Sequence, residues 1–256
     1  MPMLDLRPIP AFRDNYIWLL IFGDQQTVII DPGDAKPVLE TIGQSGLRPV
    51  GILITHNHWD HVSGIGELLK HFDIPVYGPA NEPVAHLTQT VAEGQRVTFD
   101  VLTLEVIDVP GHTPGHVAYH TANIILVGDT LFSAGCGRLK GGSAAQLYAS
   151  LQKINSFPAE TQLFCTHEYT LANLRFARTI EPDNPAIKSR AAQADEMRKQ
   201  GHPTLPTTLA LERRTNPFLR CHEPTVIAAA EAFARRSLAS GVEVFTTLRK
   251  MKDGFA

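Results

Sequence analysis

Thr55-His56-Asn57-His58-Trp59-Asp60-His61 follows directly on the apolar run Gly51-Ile52-Leu53-Ile54. The run reads as a buried strand. The heptapeptide at its end places three imidazoles and a carboxylate within six positions. Neutral imidazole and carboxylate are the donors preferred by zinc and similar divalent ions. A lone histidine is usually a hydrogen-bonded core residue, but a His-x-His-x-Asp-His string is a metal site. Strands interleaved with helices along the first 170 residues point to a layered α/β protein.

The same arrangement recurs along the chain. Val28-Ile29-Ile30 precedes Asp31, and Val106-Ile107-Asp108-Val109 precedes Pro110-Gly111-His112. Ile124-Ile125-Leu126-Val127 precedes Gly128-Asp129, and Leu163-Phe164-Cys165-Thr166 precedes His167. Ligands of layered α/β proteins commonly bind where strand ends meet loops. Singly, Asp129 reads as a turn residue or helix cap, His112 as a loop histidine and His167 as a buried, hydrogen-bonded one. At strand ends in a chain that carries the metal string, all three become candidates for one site.

Strands are expected over 17–22 and 27–30 around the turn Gly23-Asp24-Gln25, and over 51–55, 75–77, 96–99, 102–108, 117–120, 124–127 and 162–165. Helical spacing is expected over 34–44 and 62–71. Beyond residue 170 the texture becomes helical, over 171–180, 186–200, 224–240 and 242–250, with 203–211 extended or irregular. Two domains are therefore expected, 1–170 and a smaller helical 171–256.

With 43% hydrophobic and 19% charged residues the chain reads as an ordinary soluble globular protein. A net charge of −3 argues against a protein built mainly to hold nucleic acid. Cys136, Cys165 and Cys221 are odd in number and widely spaced, which suits a reducing compartment. Residues 1–13 lack the basic start and apolar core of a signal peptide. No apolar run approaches the roughly 18–20 residues that span a bilayer. A cytoplasmic protein with no membrane partner is expected, and monomer is the default because no long apolar stripe demands a second copy.

Four motifs carry a family resemblance: His56-x-His58-x-Asp60-His61, Gly111-His112-Thr113-Pro114-Gly115-His116, Gly128-Asp129-Thr130-Leu131-Phe132 and Thr166-His167-Glu168-Tyr169-Thr170. In order and spacing they resemble the metallo-β-lactamase superfamily. The match narrows to the glyoxalase II family, the hydroxyacylglutathione hydrolases. The narrowing residues are Ile9-Pro10-Ala11-Phe12 with Asp14-Asn15-Tyr16, Ala134-Gly135-Cys136-Gly137-Arg138, and Asn173-Leu174 after the last motif. Asn216-Pro217-Phe218-Leu219-Arg220 and Arg249-x-x-Lys252-Asp253 extend the likeness over nearly the whole chain.

The resemblance implies a four-layer αββα sandwich followed by a helical glutathione-binding domain. It implies two divalent ions, one held by His56, His58 and His112, the other by Asp60, His61 and His167, with Asp129 bridging. Asp60 and Asp129 are the implied catalytic carboxylates, and His116 is implied to support the site without ligating. Zinc is the first expectation; iron and manganese also accept these donors. The implied substrate is a small-molecule glutathione thioester, typically S-D-lactoylglutathione, which yields glutathione and D-lactate in the second step of methylglyoxal detoxification. Arg138, Lys140, Tyr169, Arg249 and Lys252 are the implied substrate-binding residues. Lys140 is a departure, standing where relatives commonly carry Phe or Tyr, and Gly141 follows where an acidic residue is usual.

Two ions about 3.5–4 Å apart can share a water and lower its pKa toward neutrality. The hydroxide would attack the carbonyl, and a metal would stabilise the oxyanion. A thiolate leaves readily, with a thiol pKa of roughly 8–9. No Gly-x-Ser-x-Gly nucleophile elbow is present, and Cys136 sits in a glycine-rich turn with no evident base. The competing expectation is a mononuclear iron glutathione-persulfide dioxygenase on the same scaffold. An RNA-processing nuclease and a non-enzymatic metal module are further alternatives.

Overall fold

A computed structural model describes residues 4–255. Residues 1–3 and 256, at the ends of the two expected domains, lie outside the described residues. The chain divides into two compact units, Met1–Asp108 with Gly115–Gly128, and Val109–Pro114 with Asp129–Ala256.

In the first unit, β1 (Asp5–Ala11), β2 (Asn15–Phe22), β3 (Gln26–Ile30), β4 (Arg48–Leu53), β5 (Val76–Pro79) and β6 (Gln89–Val91) form one sheet in sequence order. The first three strands are antiparallel, and β3 to β6 run parallel. Parallel pairing needs crossovers, which carry α1 (Ala35–Ser45) and the short turns α2 (Trp59–Val62) and α3 (Ile65–Leu68). Alternation along β2 divides its side chains between two faces. Ile17, Leu19 and Ile21 join Ile29, Ile52 and Ile54 beneath Val38 and Ile42 of α1 and Ile65 and Leu68 of α3. Trp18, Leu20 and Phe22 point the other way and are also buried.

Opposite that second face lies an antiparallel meander of β7 (Arg96–Phe99), β8 (Leu102–Asp108), β9 (Val117–Thr121) and β10 (Ile124–Gly128). Gly51 in β4 is small because the Phe99 ring takes the space: an added Cβ would stand 2.2 Å from it. The Tyr119 hydroxyl donates to the Ile54 carbonyl at 2.8 Å, and the Val117 amide donates to Thr55 O at 2.9 Å. Helix, sheet and meander are three of the four expected layers.

The second unit contains the hairpin of β11 (Leu131–Phe132) and β12 (Gly135–Cys136), and β13 (Gln162–Cys165) paired with β14 (Thr207–Thr208). Its helices are α4 (Ala144–Asn155), α5 (Thr170–Ile180), α6 (Pro185–Lys199), α7 (Leu209–Thr215), α8 (Pro224–Ala234) and α9 (Gly241–Asp253). Leu174 and Ala177 of α5 pack on Ile187 and Ala194 of α6, with Ala134 of the hairpin in the same cluster. Phe176, Phe218 and Phe245 form a row of rings with successive centroids 6.0 and 5.7 Å apart.

Three of the expected stretches fold differently. The helix expected over 62–71 is two separate turns beginning at Trp59. They part at Gly64, whose amide donates to Pro32 O at 2.9 Å instead of continuing one helix. The helix expected over 224–240 ends at Ala234, because Arg235 adopts a left-handed conformation, φ +55°. Helix α7 starts inside the stretch expected to be irregular, capped by the Thr208 side chain accepting from Leu211 N.

Candidate metal centre

Parallel pairing of β3, β4 and β5 sets their carboxyl ends along one edge of the first sheet, with Ile30 beside Leu53 and Leu53 beside Tyr77. Asp31, His56 and Glu82 lie just beyond those ends. The His56 and His58 rings converge, Nε2 of one lying 3.0 Å from Nδ1 of the other. His61 is fully buried, its Nδ1 3.0 Å from Asp31 Oδ2 and its Nε2 3.8 Å from Asp60 Oδ2. Asp31 also accepts from the Thr55 amide and hydroxyl at 2.8 and 2.7 Å. A carboxylate on Nδ1 orients an imidazole so that Nε2 faces the metal.

Two further side chains hold this loop. Asn15 Nδ2 donates to Asp60 Oδ2 at 3.0 Å. The Glu82 carboxylate accepts from the amides of Asn57 and Gly115 at 2.6 and 3.1 Å, tying the metal string to the Gly-His-Thr-Pro-Gly-His loop. His116 is buried and stacks on His56, centroids 4.6 Å apart at 17°. Gly33 is required by contact, since a Cβ there would lie 1.9 Å from Asp60 O.

The second unit holds the other three candidate ligands. Asp129 Oδ2 is 3.5 Å from His112 Nε2 and 3.4 Å from His167 Nε2. One carboxylate oxygen thus faces two imidazoles assigned to different ions, the placement a bridging ligand needs. His112 Nδ1 donates to Arg138 O at 2.7 Å, leaving Nε2 to ligate. The Tyr169 ring stacks on His167 at 4.7 Å and 1°, and Phe132 meets both rings edge-on. Gly137 has no room for a side chain, as a Cβ would lie 2.1 Å from Asp129 O and 3.1 Å from His112.

Of the seven donors expected from the sequence, His56, His58, Asp60 and His61 lie in the first unit and His112, Asp129 and His167 in the second. Five imidazoles and two carboxylates, with His61 and His112 each set through Nδ1 against an oxygen, suit a pair of divalent ions.

The expected substrate residues are placed as follows. Arg138 and Lys140 are exposed, with Arg138 Nε 3.7 Å from Asp253. Lys252 is half-buried, donates to Ala172 O at 3.2 Å and lies over the Phe176 and Phe255 rings. Its ammonium is pushed down to about 8, first by burial and then by Arg249, Arg175 and Arg138. Arg249 is 3% exposed, and its guanidinium donates to Cys136 O and to Asp253 Oδ1, both at 3.0 Å. Burial pushes the Cys136 thiol up to about 11, so it carries little thiolate at neutral pH. Asp31 and Glu82 were not among the expected site residues. The signal for Asp31 was available, since it ends an apolar strand as His56 and Asp129 do; Glu82 left none.

The chain matches the model of the metallo-β-lactamase superfamily over residues 12–167 and that of the hydroxyacylglutathione hydrolase C-terminus over 168–255. It is 50% identical to a hydroxyacylglutathione hydrolase of Nitrosomonas europaea over 99% of this chain and 97% of that one. Among solved structures it is similar to the B3 metallo-β-lactamase BLEG-1, with a TM-score of 0.62 and 26% identity over 85% of this chain and 99% of that one. It is also similar to the di-iron-bound form of TTHA1623, with a TM-score of 0.61 and 27% identity over 83% and 100%. The fold is the metallo-β-lactamase fold with a C-terminal helical region.

Proposed function

Because the chain belongs to the hydroxyacylglutathione hydrolase family of the metallo-β-lactamase superfamily, we propose that its two donor sets form the centre of a glutathione thioester hydrolase. The protein is a hydroxyacylglutathione hydrolase with a binuclear divalent metal site. The observation that carries the catalytic reading is Asp129, one carboxylate oxygen set between His112 and His167. In this reading His56, His58 and His112 hold one ion, Asp60, His61 and His167 the other, and Asp129 bridges. Bound there, the two ions supply a water nucleophile of lowered pKa and Lewis-acid polarisation of the carbonyl. Zinc is the proposed metal; iron and manganese suit the same donors.

The chain's own residues do the rest. The Arg138 carbonyl fixes the tautomer of His112, and the Asp31 carboxylate lies 3.0 Å from His61 Nδ1. Asn15 holds the Asp60 carboxylate in place. The glutathione part of the substrate has two carboxylates, which Arg138, Lys140 and Lys252 are suited to pair. Tyr169 offers a hydroxyl on a ring locked against His167. Arg249 is buried against Cys136 and Asp253, so its support to binding runs through the 135–138 turn and Asp253. Residues 1–170 would supply the catalysis and 171–256 the glutathione site. The typical substrate would be S-D-lactoylglutathione, in a cytoplasmic monomer.

The persulfide dioxygenase alternative is not favoured, since the relatives similar over the whole chain are hydroxyacylglutathione hydrolases. The test is thiol release from S-D-lactoylglutathione, before and after chelation. The metal-loaded protein should turn over and the chelated one should not. Asp129→Asn should lose at least about 100-fold in kcat with secondary structure intact. No turnover by fully loaded protein would sink the reading, and wild-type turnover by Asp129→Asn would remove the bridging role.

A further inference from the structure

Phe12 and Trp59 are large aromatic residues left 49% and 65% exposed. Their rings touch, with centroids 5.0 Å apart at 61°. Phe12 also holds φ at +50°, a left-handed conformation that costs a bulky residue on the order of 1 kcal/mol. Exposed aromatic area and backbone strain are both unfavourable to folding, and here they coincide.

They coincide beside the metal string. Trp59 stands between His58, a donor of one set, and Asp60, a donor of the other. Phe12 lies in the β1–β2 turn, whose Asn15 is bonded to the Asp60 carboxylate at 3.0 Å. The Phe12 ring borders Gly33, where a Cβ would come 2.8 Å from Cε2, and Gly33 is itself closed down on the Asp60 carbonyl. The two rings are therefore held in register with Asp60, and they present apolar faces with no charge.

The glutathione part of the substrate is polar and doubly anionic, and such a surface has nothing to offer it. The acyl part is the piece that varies between substrates and carries the apolar substituent. Resting on the thioester hydrolase reading, we infer that Phe12 and Trp59 form an apolar ledge that receives the acyl side chain and sets which 2-hydroxyacyl groups are preferred. They are specificity residues that touch the acyl substituent.

Two measurements test this. Phe12→Gly and Trp59→Ala should lower the ratio of kcat/KM for S-mandeloylglutathione over S-glycoloylglutathione on the order of 10-fold. Trp59→Phe should restore it. Phe12→Gly also relieves the left-handed strain, so its thermal midpoint should hold or rise; a purely structural ring would lower the midpoint and leave the ratio unchanged. The second measurement is tryptophan emission. The chain has two tryptophans, Trp18 buried and Trp59 exposed. S-benzylglutathione, a thioether that cannot be hydrolysed, should saturably shift the emission to shorter wavelength, S-methylglutathione should do so far less, and Trp59→Phe should abolish the change. A flat ratio across the variants, or equal responses to the two thioethers, overturns the ledge while the hydrolase reading stands. A benzyl-specific shift in a protein that hydrolyses no thioester leaves the ledge and removes the hydrolase.

Discussion

Asp31 sits at the end of β3 with φ +51° and takes three contacts, from the Thr55 amide, the Thr55 hydroxyl and His61 Nδ1. Its charge orients a metal-site histidine, and its backbone conformation is one that Asn tolerates nearly as well. Asp31→Asn therefore removes the charge without adding strain. It should weaken metal binding about 10–100-fold, measured by competition with a chromophoric chelator. Unchanged affinity would show that His61 needs no anionic partner. The histidines, Asp60 and Asp129 stood out in the sequence as candidate donors because ligand chemistry depends on residue type and close spacing. Glu82 was not, because its work is to accept two amides from loops 57 and 115, and nothing local marks a glutamate for that.

At the scale of elements, Asn216 follows α7 and props the β11–β12 hairpin. Its Nδ2 donates to Phe132 O, Gly135 O and Glu212 Oε2 at 3.2, 2.9 and 3.0 Å, all in the interior. Asn216→Ala leaves buried acceptors unpaired and should cost about 2–3 kcal/mol, read as a lower thermal midpoint; a midpoint within error of wild type would contradict this. Near the end of α9, burial and the neighbouring guanidinium groups push the Lys252 ammonium down to about 8. If its ammonium pairs a substrate carboxylate, KM should climb above pH 8 while kcat changes less, and Lys252→Met should give a flat KM. Charging this lysine costs the folded state, so stability falls between pH 10.5 and 8 as pH drops and is unaffected by it below.

Element legibility followed local signals. Helix α4 was readable and went unread: Leu147, Leu151 and Ile154 keep helical spacing behind the Ser143–Gln146 capping box. Strand β1 was obscured by Pro8 and Pro10, which suit it because it is an edge strand, paired with β2. The break between α2 and α3 had no local cause to find, since Gly64 is drawn to the Pro32 carbonyl from another part of the chain.

For the molecule as a whole, bound ions are folding energy as well as catalytic groups. At free metal about 1,000-fold above Kd, binding only to the native state contributes about 4 kcal/mol. For a domain protein of this size that is roughly 10 °C in thermal midpoint. Chelation followed by dialysis should lower the midpoint by about that amount and zinc should restore it; identical midpoints would mean that the donors do not bind tightly. Among the described residues no helix is long and apolar enough to cross a membrane.

The sequence by itself determined the candidate donors, the strand ends that bear them and the family, because residue type, spacing and apolar periodicity are local properties of the chain. Only the tertiary structure decided that Nδ1 of His61 and of His112 is set against an oxygen, that Arg249 is buried rather than presented, and that Phe12 and Trp59 stand together beside Asp60. Those are contacts between segments distant in sequence, and their partners are set by how strands pair and loops close, which no local pattern encodes.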